Sequence, residues 1–287
     1  MSNLFGRQQE YGVRRGCGGG GMRIVIAIVI AIVTIIGYFS SKQTNPVTGE
    51  VQHIKIDAKQ ETALGLQATP QMEEQYGGES DDAQAVARVQ KIGNSVVQGS
   101  DASKGPYTFN FHLLADENVI NAFALPGGQV FITQALYSKL TSDGELAGVL
   151  GHEIGHVVGR HGAEQLAKNQ LTSGLAGAAV IGSYDPNHPG TSQASAIVTQ
   201  LAAKLVNLRY SRNDENEADG FGVKYMSQAG YDPRSMLKVM QILKDSSKGG
   251  RQPEFFSTHP DPGNRLEHIQ AVIDKLYPGG VPEGMKP

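Results

Sequence analysis

The segment His152-Glu153-Ile154-Gly155-His156 is the most informative stretch of this chain. In a helix, two histidines four residues apart lie on one face about one turn apart, a spacing at which both can bind a single Zn²⁺. Glu153 would then face the open side of the metal, in a position to take a proton from water. This pattern predicts a catalytic metal site on a helix.

The residues around this segment favour the helix. Ser142-Asp143-Gly144-Glu145 is typical of a capping box, in which Ser142 accepts from the first turn and Glu145 reaches back to the cap. Apolar residues follow at helical spacings: Leu146, Val149, Leu150, Ile154, Val157 and Val158. A surface helix with two solvated histidines is the alternative. The apolar flanks argue against it, because a buried glutamate beside two histidines would be costly without a metal.

Length and composition narrow the class of protein. With 287 residues, the chain can hold one sizeable domain plus appendages. A net charge of −3 makes nucleic acid an unfavourable partner. Cys17 is the single cysteine, so no intramolecular disulfide can form and the metal ligands near residue 152 are not thiolates.

The run from Ile24 to Phe39 is almost entirely apolar. As a helix it would be about 24 Å long, and Arg23 and Tyr38 can close most of the gap to a hydrocarbon core of ~30 Å. A cleaved signal peptide is the alternative, but no small-residue cleavage site follows the run. The sequence therefore predicts one transmembrane anchor.

The flanking charges predict its orientation. Arg7, Arg14, Arg15 and Arg23 precede the run, whereas Lys42 is the only close cation after it. The positive-inside rule then puts the N-terminus in the cytoplasm and the rest of the chain outside it, in the periplasm if the cell is bacterial.

These features predict four regions. Residues 1–22 form a cytoplasmic tail rich in glycine and arginine, and residues 23–40 form the anchor. Residues 41–60 are a polar juxtamembrane linker with turn signals, and residues 61–287 are the catalytic domain. Within that domain a helical pattern also runs from Ala194 to Leu208.

A small sheet is expected just before the metal-site helix. Tyr107 to Leu113 alternates apolar and polar residues, and Asn121 to Ile132 has the pattern strand, Pro-Gly-Gly turn, strand. An exposed edge strand can hold an extended substrate by backbone pairing, which makes Asn121, Ala122, Phe123 and Ala124 candidate substrate-binding residues. An ordinary hairpin that fills the core is compatible with the same sequence.

A catalytic zinc needs a third protein ligand and leaves its fourth position to water. The best candidate segment is Asn213 to Asp219, because Glu215 and Asp219 share a helix face while Glu217 points away. Glu215 as ligand, with Asp219 accepting a hydrogen bond from a ligand histidine, would match a common zinc arrangement. A solvated acidic helix start is the alternative for this stretch.

Several motifs together resemble one known family: HEIGHVVGRHGAE from His152, ENEAD from Glu215, NAFALPGG from Asn121, and Ser257-Thr258-His259-Pro260 followed by Arg265. They resemble metallopeptidase family forty-eight, the gluzincin group that includes the HtpX, BepA and OMA-type proteases and the CAAX prenyl proteases. The resemblance covers roughly residues 60–275. We expect a single anchor and no tetratricopeptide repeat region, which would distinguish this chain from some relatives.

The resemblance implies a zinc-dependent endopeptidase with an α+β fold. The domain would be a mostly helical zincin (gluzincin) with a small sheet along the cleft. It implies one Zn²⁺ per chain held by His152, His156 and Glu215, with Glu153 as the base and Asp219 supporting a ligand. It also places His259 and Arg265 in the cleft, where either residue could stabilise the oxyanion. A blocking role for His259, in the zinc's open position, remains open.

The expected substrate is a protein or peptide, and the expected role is quality control of envelope proteins. Two other functions stay compatible with the sequence. One is a tethered chaperone or scaffold that keeps the zincin fold with little proteolysis. The other is a purely structural zinc protein, which an open three-ligand site with an adjacent base disfavours.

Overall fold

The computed structural model describes residues 19–183, 209–247, 252–260 and 263–287. The predicted helical pattern from Ala194 to Leu208, Cys17 and residues 1–18 of the predicted tail lie outside these residues. The described chain divides into a small helical unit, residues 19–37 and 171–183, and a larger unit that contains the rest.

The small unit contains most of helix α1, Gly19–Phe39, which covers the predicted anchor. Its segment Gly21–Phe39 is long and apolar enough to cross a membrane, and none of that window is buried. The unit also holds the second half of α6, His161–Ser183. At Gly174 a Cβ atom would lie 2.6 Å from Cγ2 of Thr34, so this glycine permits close packing of the two helices.

The larger unit begins with a two-stranded hairpin where the sequence predicts a linker. Strand β1, Lys42–Thr44, pairs antiparallel with β2, Val51–His53. Helix α2, Ala58–Gln75, follows and is capped by Asp57 and Gln60. Helix α3, Ala83–Gln98, forms where an apolar stripe recurs at helical spacing.

A three-stranded sheet supports the next part of the fold. Strands β3, Asn110–Leu114, β4, Ala122–Leu125, and β5, Gln129–Thr133, lie in the order β3-β5-β4. Strand β5 is parallel to β3 and antiparallel to β4, so the predicted hairpin is present. Its turn requires glycine at Gly127, where φ is +86° and a Cβ atom would lie 2.2 Å from the Cα of Thr62.

Both faces of the sheet are covered. Phe111, Val130 and Ile132 belong to the main core, which α3 and α5 also line. Leu125 and Phe131 belong to a smaller cluster with residues of α2. His112, predicted on the polar face of β3, is half-buried and hydrogen-bonds to Glu79 and Gln129.

Helix α5, Asp143–Val158, carries the His-Glu-Ile-Gly-His segment and lies in the core. It packs against α3, against β4, against α7 (Arg212–Gln228) and against α8 (Ser235–Ser246). Every residue from Gly144 to Val158 is buried, so the helix is enclosed on all sides rather than on one apolar face. The short helix α4, Gln134–Tyr137, precedes it.

Two local expectations were wrong. Ser142 does cap α5 by accepting from the backbone N–H of Glu145, but the Glu145 carboxylate accepts from Thr141 instead of the cap residue. The two prolines and the glycine within residues 257–263 predict a loop there, but Ser257 and Thr258 end a single helical turn, α9, Phe255–Thr258. Helix α10, Arg265–Leu276, follows.

Candidate active site

Four side chains meet at one point in the larger unit: His152 and His156 from α5, Glu215 from α7, and His259 immediately after α9. Their potential ligand atoms all lie within 4.8 Å of one another. None of the four side chains is more than 2% exposed. The cluster therefore brings together three elements that are far apart in sequence.

Glycines allow α5 and α7 to approach closely enough to form this cluster. A Cβ atom on Gly222 of α7 would lie 3.0 Å from the backbone nitrogen of His152. On the α5 side, a Cβ atom at Gly155 would lie 3.0 Å from the carbonyl oxygen of Ala218. Backbone packed on backbone sets the distance between His152 and the carboxylates of α7.

The donor atoms have the separations that a metal site needs. Nε2 of His152 lies 3.0 Å from Nε2 of His156. The two carboxylate oxygens of Glu215 lie 3.6 Å and 3.5 Å from these nitrogens. Two N or O ligands of one tetrahedral zinc are about 3.4 Å apart, given bonds of ~2.0–2.1 Å. The residues therefore fit a bound metal ion.

A buried ion pair holds the first histidine in place. Nδ1 of His152 lies 2.9 Å from Oδ1 of Asp219, one turn after Glu215 on α7. Arg265 donates to both oxygens of Asp219, at 2.7 Å and 2.8 Å, and its Nη1 lies 3.2 Å from Glu215. Burial alone would raise the pKa of Asp219, but Arg265 and His152 outweigh it and hold this pKa below its ordinary value.

His259 lies among the candidate ligands. Its Nδ1 is 3.1 Å from Oε1 of Glu215 and 3.4 Å from Nε2 of His152. Its Nε2 faces Glu153 at 3.8 Å, and its ring stacks on Phe255 with centroids 4.4 Å apart. The imidazole thus lies between the other donors and Glu153.

Glu153 is fully buried, and neither carboxylate oxygen has a hydrogen-bond partner among the described residues. Burial raises its pKa above the ordinary value for a glutamate. A carboxylate without hydrogen bonds is costly to bury, so its presence requires a reason beyond stability. It is placed to exchange protons with a molecule bound at the cluster.

Comparison with known proteins identifies the family. The description "Peptidase family M48" matches residues 83–273, about two thirds of the chain. The chain belongs to peptidase family M48. The match confirms the predicted resemblance to this family and the α+β fold. It also confirms the predicted enzyme class, a metallopeptidase.

Among curated relatives, the chain is 32% identical over 193 residues to a beta-barrel assembly-enhancing protease of Yersinia pestis, covering 66% of this chain and 39% of the relative. It is 28% identical over 251 residues to the mitochondrial metalloendopeptidase OMA1 of Homo sapiens, covering 84% of this chain and 48% of the relative. The chain therefore spans less than half the length of these relatives. Membership of family M48 and the buried His/Glu cluster together indicate a metal ion in this chain.

Tyr210 contacts this M48 site and was missed at the sequence level. Its ring stacks on His156 with centroids 3.8 Å apart and planes inclined by 17°. Its backbone N–H donates to the carbonyl oxygen of Thr258, which ties the start of α7 to α9. Burial raises the pKa of Tyr210 well above its ordinary value, so the phenol stays neutral. A single tyrosine before a helix cap carries no motif that could have revealed this contact.

The four candidate substrate-binding residues differ in their surroundings. Ala122 and Ala124 are buried, and Phe123 is half-buried between Phe131 and Tyr76. Asn121 is also buried, and its amide donates to Tyr76 and Glu254 at 3.2 Å and 3.3 Å. Strand β4 is an edge of the three-stranded sheet, and α9 packs against it.

Proposed function

We propose that this M48 chain is a zinc-dependent endopeptidase in which His152, His156 and Glu215 bind the metal and Glu153 is the general base. The observation that carries this proposal is the convergence of three N/O donors, 3.0 to 3.6 Å apart, beside a buried carboxylate that has no hydrogen-bond partner in the described part of the chain. Nitrogen and oxygen donors without a thiolate are typical of catalytic zinc sites in peptidases.

When bound, the zinc ion supplies Lewis acidity, which polarises the scissile carbonyl and makes water more acidic. Glu153 accepts the proton of the attacking water and then delivers it to the leaving amine nitrogen. Its raised pKa suits this exchange, because a stronger base takes the proton more readily. Asp219 and Arg265 keep His152 in the tautomer whose Nε2 lone pair faces the metal.

We further propose that this conformation is a resting state. The side chains of Glu153 and His259 are 0% exposed, so a substrate cannot contact either of them in this conformation. Nδ1 of His259 lies 3.1 Å from Oε1 of Glu215 and 3.4 Å from Nε2 of His152, separations at which these atoms could bind the same metal ion. His259 is therefore better placed as a fourth ligand than as a free oxyanion donor. Displacement of His259 would open that position and uncover Glu153 for catalysis.

Residues Asn121 to Ala124 are proposed to bind the substrate through the edge of the sheet. Among the described residues, strand β4 has a neighbouring strand, β5, on one side only, and an extended peptide can add to such an edge. In the described conformation Asn121 is instead bonded to Glu254, close to α9. Substrate binding and displacement of α9 would then occur together.

We propose that residues 23–40 anchor the chain in a membrane, with the N-terminus in the cytoplasm. The apolar, unburied helix Gly21–Phe39 and the four arginines around its start support this orientation. The catalytic unit would then act outside the cytoplasm. We propose a role in quality control of envelope proteins, with a protein or peptide as substrate, and the name of one relative, beta-barrel assembly-enhancing protease, supports it.

Hydrolysis of casein by the purified full-length chain in detergent tests the enzymatic proposal. We expect wild-type hydrolysis to stop when a chelator removes the metal, and Glu153→Gln to lose at least ~10²-fold in rate while it keeps its zinc. Glu117→Gln, which changes an exposed carboxylate, is the control and should match wild type. A zinc-loaded wild-type protein that cuts no better than Glu153→Gln would favour the scaffold instead.

A further inference from the structure

His161 supports the proposed ligand His156. Nδ1 of His156 lies 2.8 Å from Nδ1 of His161, and Nε2 of His161 lies 3.2 Å from Oε2 of Glu217. The side chain of His161 is 1% exposed, whereas that of Glu217 is 25% exposed. Three side chains thus form one line from the metal cluster towards the surface.

The turn between α5 and α6 creates this contact. On a continuous helix, residues five apart point about 140° away from each other, so His161 would face away from His156. The helix is interrupted at Arg160, whose φ is +58°, and the guanidinium of Arg160 bonds to Glu61 and to the carbonyl oxygen of Ile56. Gly159 leaves room for the returning ring, since a Cβ atom there would lie 2.4 Å from Nε2 of His161.

The hydrogen-bond roles along this line are fixed by the metal ligand. If Nε2 of His156 carries the lone pair towards the cluster, its proton is on Nδ1 and donates to Nδ1 of His161. His161 must then carry its own proton on Nε2, where Glu217 accepts it. His156 thus donates, His161 accepts at Nδ1 and donates at Nε2, and Glu217 accepts.

We infer that His161 is a positioning residue for His156, and that the line from His156 through His161 to Glu217 sets the metal affinity of the site. This inference rests on the ligand role proposed for His156. The two histidine ligands would be supported differently. His152 bonds directly to Asp219, which Arg265 holds on both oxygens, whereas His156 is supported through a second imidazole.

We expect His161 and Glu217 to contribute unequally to the metal affinity. Loss of a partner that orients a ligand histidine typically costs 10–100-fold in metal affinity. We expect that range for His161. Glu217 is partly in water, where charge interactions are screened, so its loss should cost less than ~10-fold.

Zinc affinity of the full-length chain in detergent, measured by competition with a chelator, tests the inference. His161→Phe keeps a ring of similar size without nitrogen atoms and should lower the affinity about 10–100-fold. His161→Asn returns an acceptor near the position of Nδ1 and should recover most of the affinity. His268→Phe, which removes a histidine bonded to the backbone of α7 at Asn216, should leave it unchanged.

Unfolding of the metal-free variants separates positioning from folding. If His161→Phe unfolds at the wild-type temperature without metal, its lower affinity reflects the lost hydrogen bond. Unchanged affinity in His161→Phe, or no recovery in His161→Asn, would overturn the inference. Glu215→Ala distinguishes failure of this inference from failure of the proposed ligand set. If it abolishes zinc binding while His161→Phe keeps the wild-type affinity, only the inference fails. If it leaves zinc binding intact, the proposed ligand set fails.

Discussion

Replacement of Gly222 by alanine tests whether backbone contact between α5 and α7 sets the geometry of the metal site. The new Cβ atom would lie 3.0 Å from the backbone nitrogen of His152 and 3.2 Å from its Cα. Backbone atoms cannot rotate away from the new methyl group as a flexible side chain can. The two helices would therefore have to separate by a few tenths of an ångström. That shift would move a ligand histidine away from Glu215.

The same helix provides a matched control. Gly220 lies two residues earlier in α7, and a Cβ atom there would have no neighbour within 4 Å. Alanine in a helix is favoured over glycine by ~1 kcal/mol, and this gain applies at both positions. Overpacking at Gly222 should cost about 1–3 kcal/mol in the free energy of unfolding. Gly222→Ala should therefore be less stable than Gly220→Ala by roughly that amount.

Thermal unfolding of the metal-free proteins, followed by near-ultraviolet circular dichroism, measures this difference. A change of 1 kcal/mol shifts the midpoint by roughly 2–4 °C in a domain of this size. We also expect weaker zinc binding in Gly222→Ala and wild-type binding in Gly220→Ala. Equal midpoints and equal zinc affinities for the two variants would refute the idea that this contact positions His152.

The remaining predictions concern the third ligand, His259 and the topology. Glu215→Ala should lose zinc, whereas Glu217→Ala should keep most of it; the opposite result in metal analysis would exchange their roles. His259→Ala should raise casein hydrolysis or cause self-cleavage, because it opens the fourth ligand position, and a fall of ~10²-fold would instead indicate an oxyanion donor. Alkaline phosphatase fused after residue 60 should be active in a bacterial host, and an inactive fusion with a cytoplasmic reporter active at that site would reverse the orientation.

The metal-site helix, its cap and the shared helix face of Glu215 and Asp219 could be predicted, because each depends on residues close together in the sequence. Ser142 does cap α5, and Glu215 and Asp219 do share a face of α7, as helical periodicity requires. The Pro-Gly-Gly turn between β4 and β5 follows from the need for glycine at positive φ. Each of these features is fixed by residues within about seven positions of one another.

Contacts between distant segments could not be predicted from one sequence. Residues 41–60 have the polar composition of a linker, yet Asn45 donates to the carbonyl oxygen of Val158 at 2.8 Å and Gln52 donates to that of Gly159. These bonds satisfy carbonyl groups at the C-terminal end of α5. Nothing local to either segment shows that they meet.

The position of His161 also could not be predicted from the sequence. If the helix continued past His156, His161 would face away from the proposed metal ligands. The left-handed residue Arg160 changes the direction of the chain, and bonds to α2 and to Ile56 support it. A non-glycine residue at positive φ has no clear sequence signal, because tertiary contacts offset its conformational cost.

X-ray absorption at the zinc edge of the purified full-length chain identifies the atoms that bind the metal. We expect one zinc per chain, with only nitrogen and oxygen neighbours at about 2.0–2.1 Å and the multiple-scattering signal of histidine rings. Removal of His259 should reduce that histidine signal without loss of the metal. A chain that retains no zinc, or a sulfur neighbour at ~2.3 Å, would show that His152, His156 and Glu215 are not the ligands of a catalytic zinc.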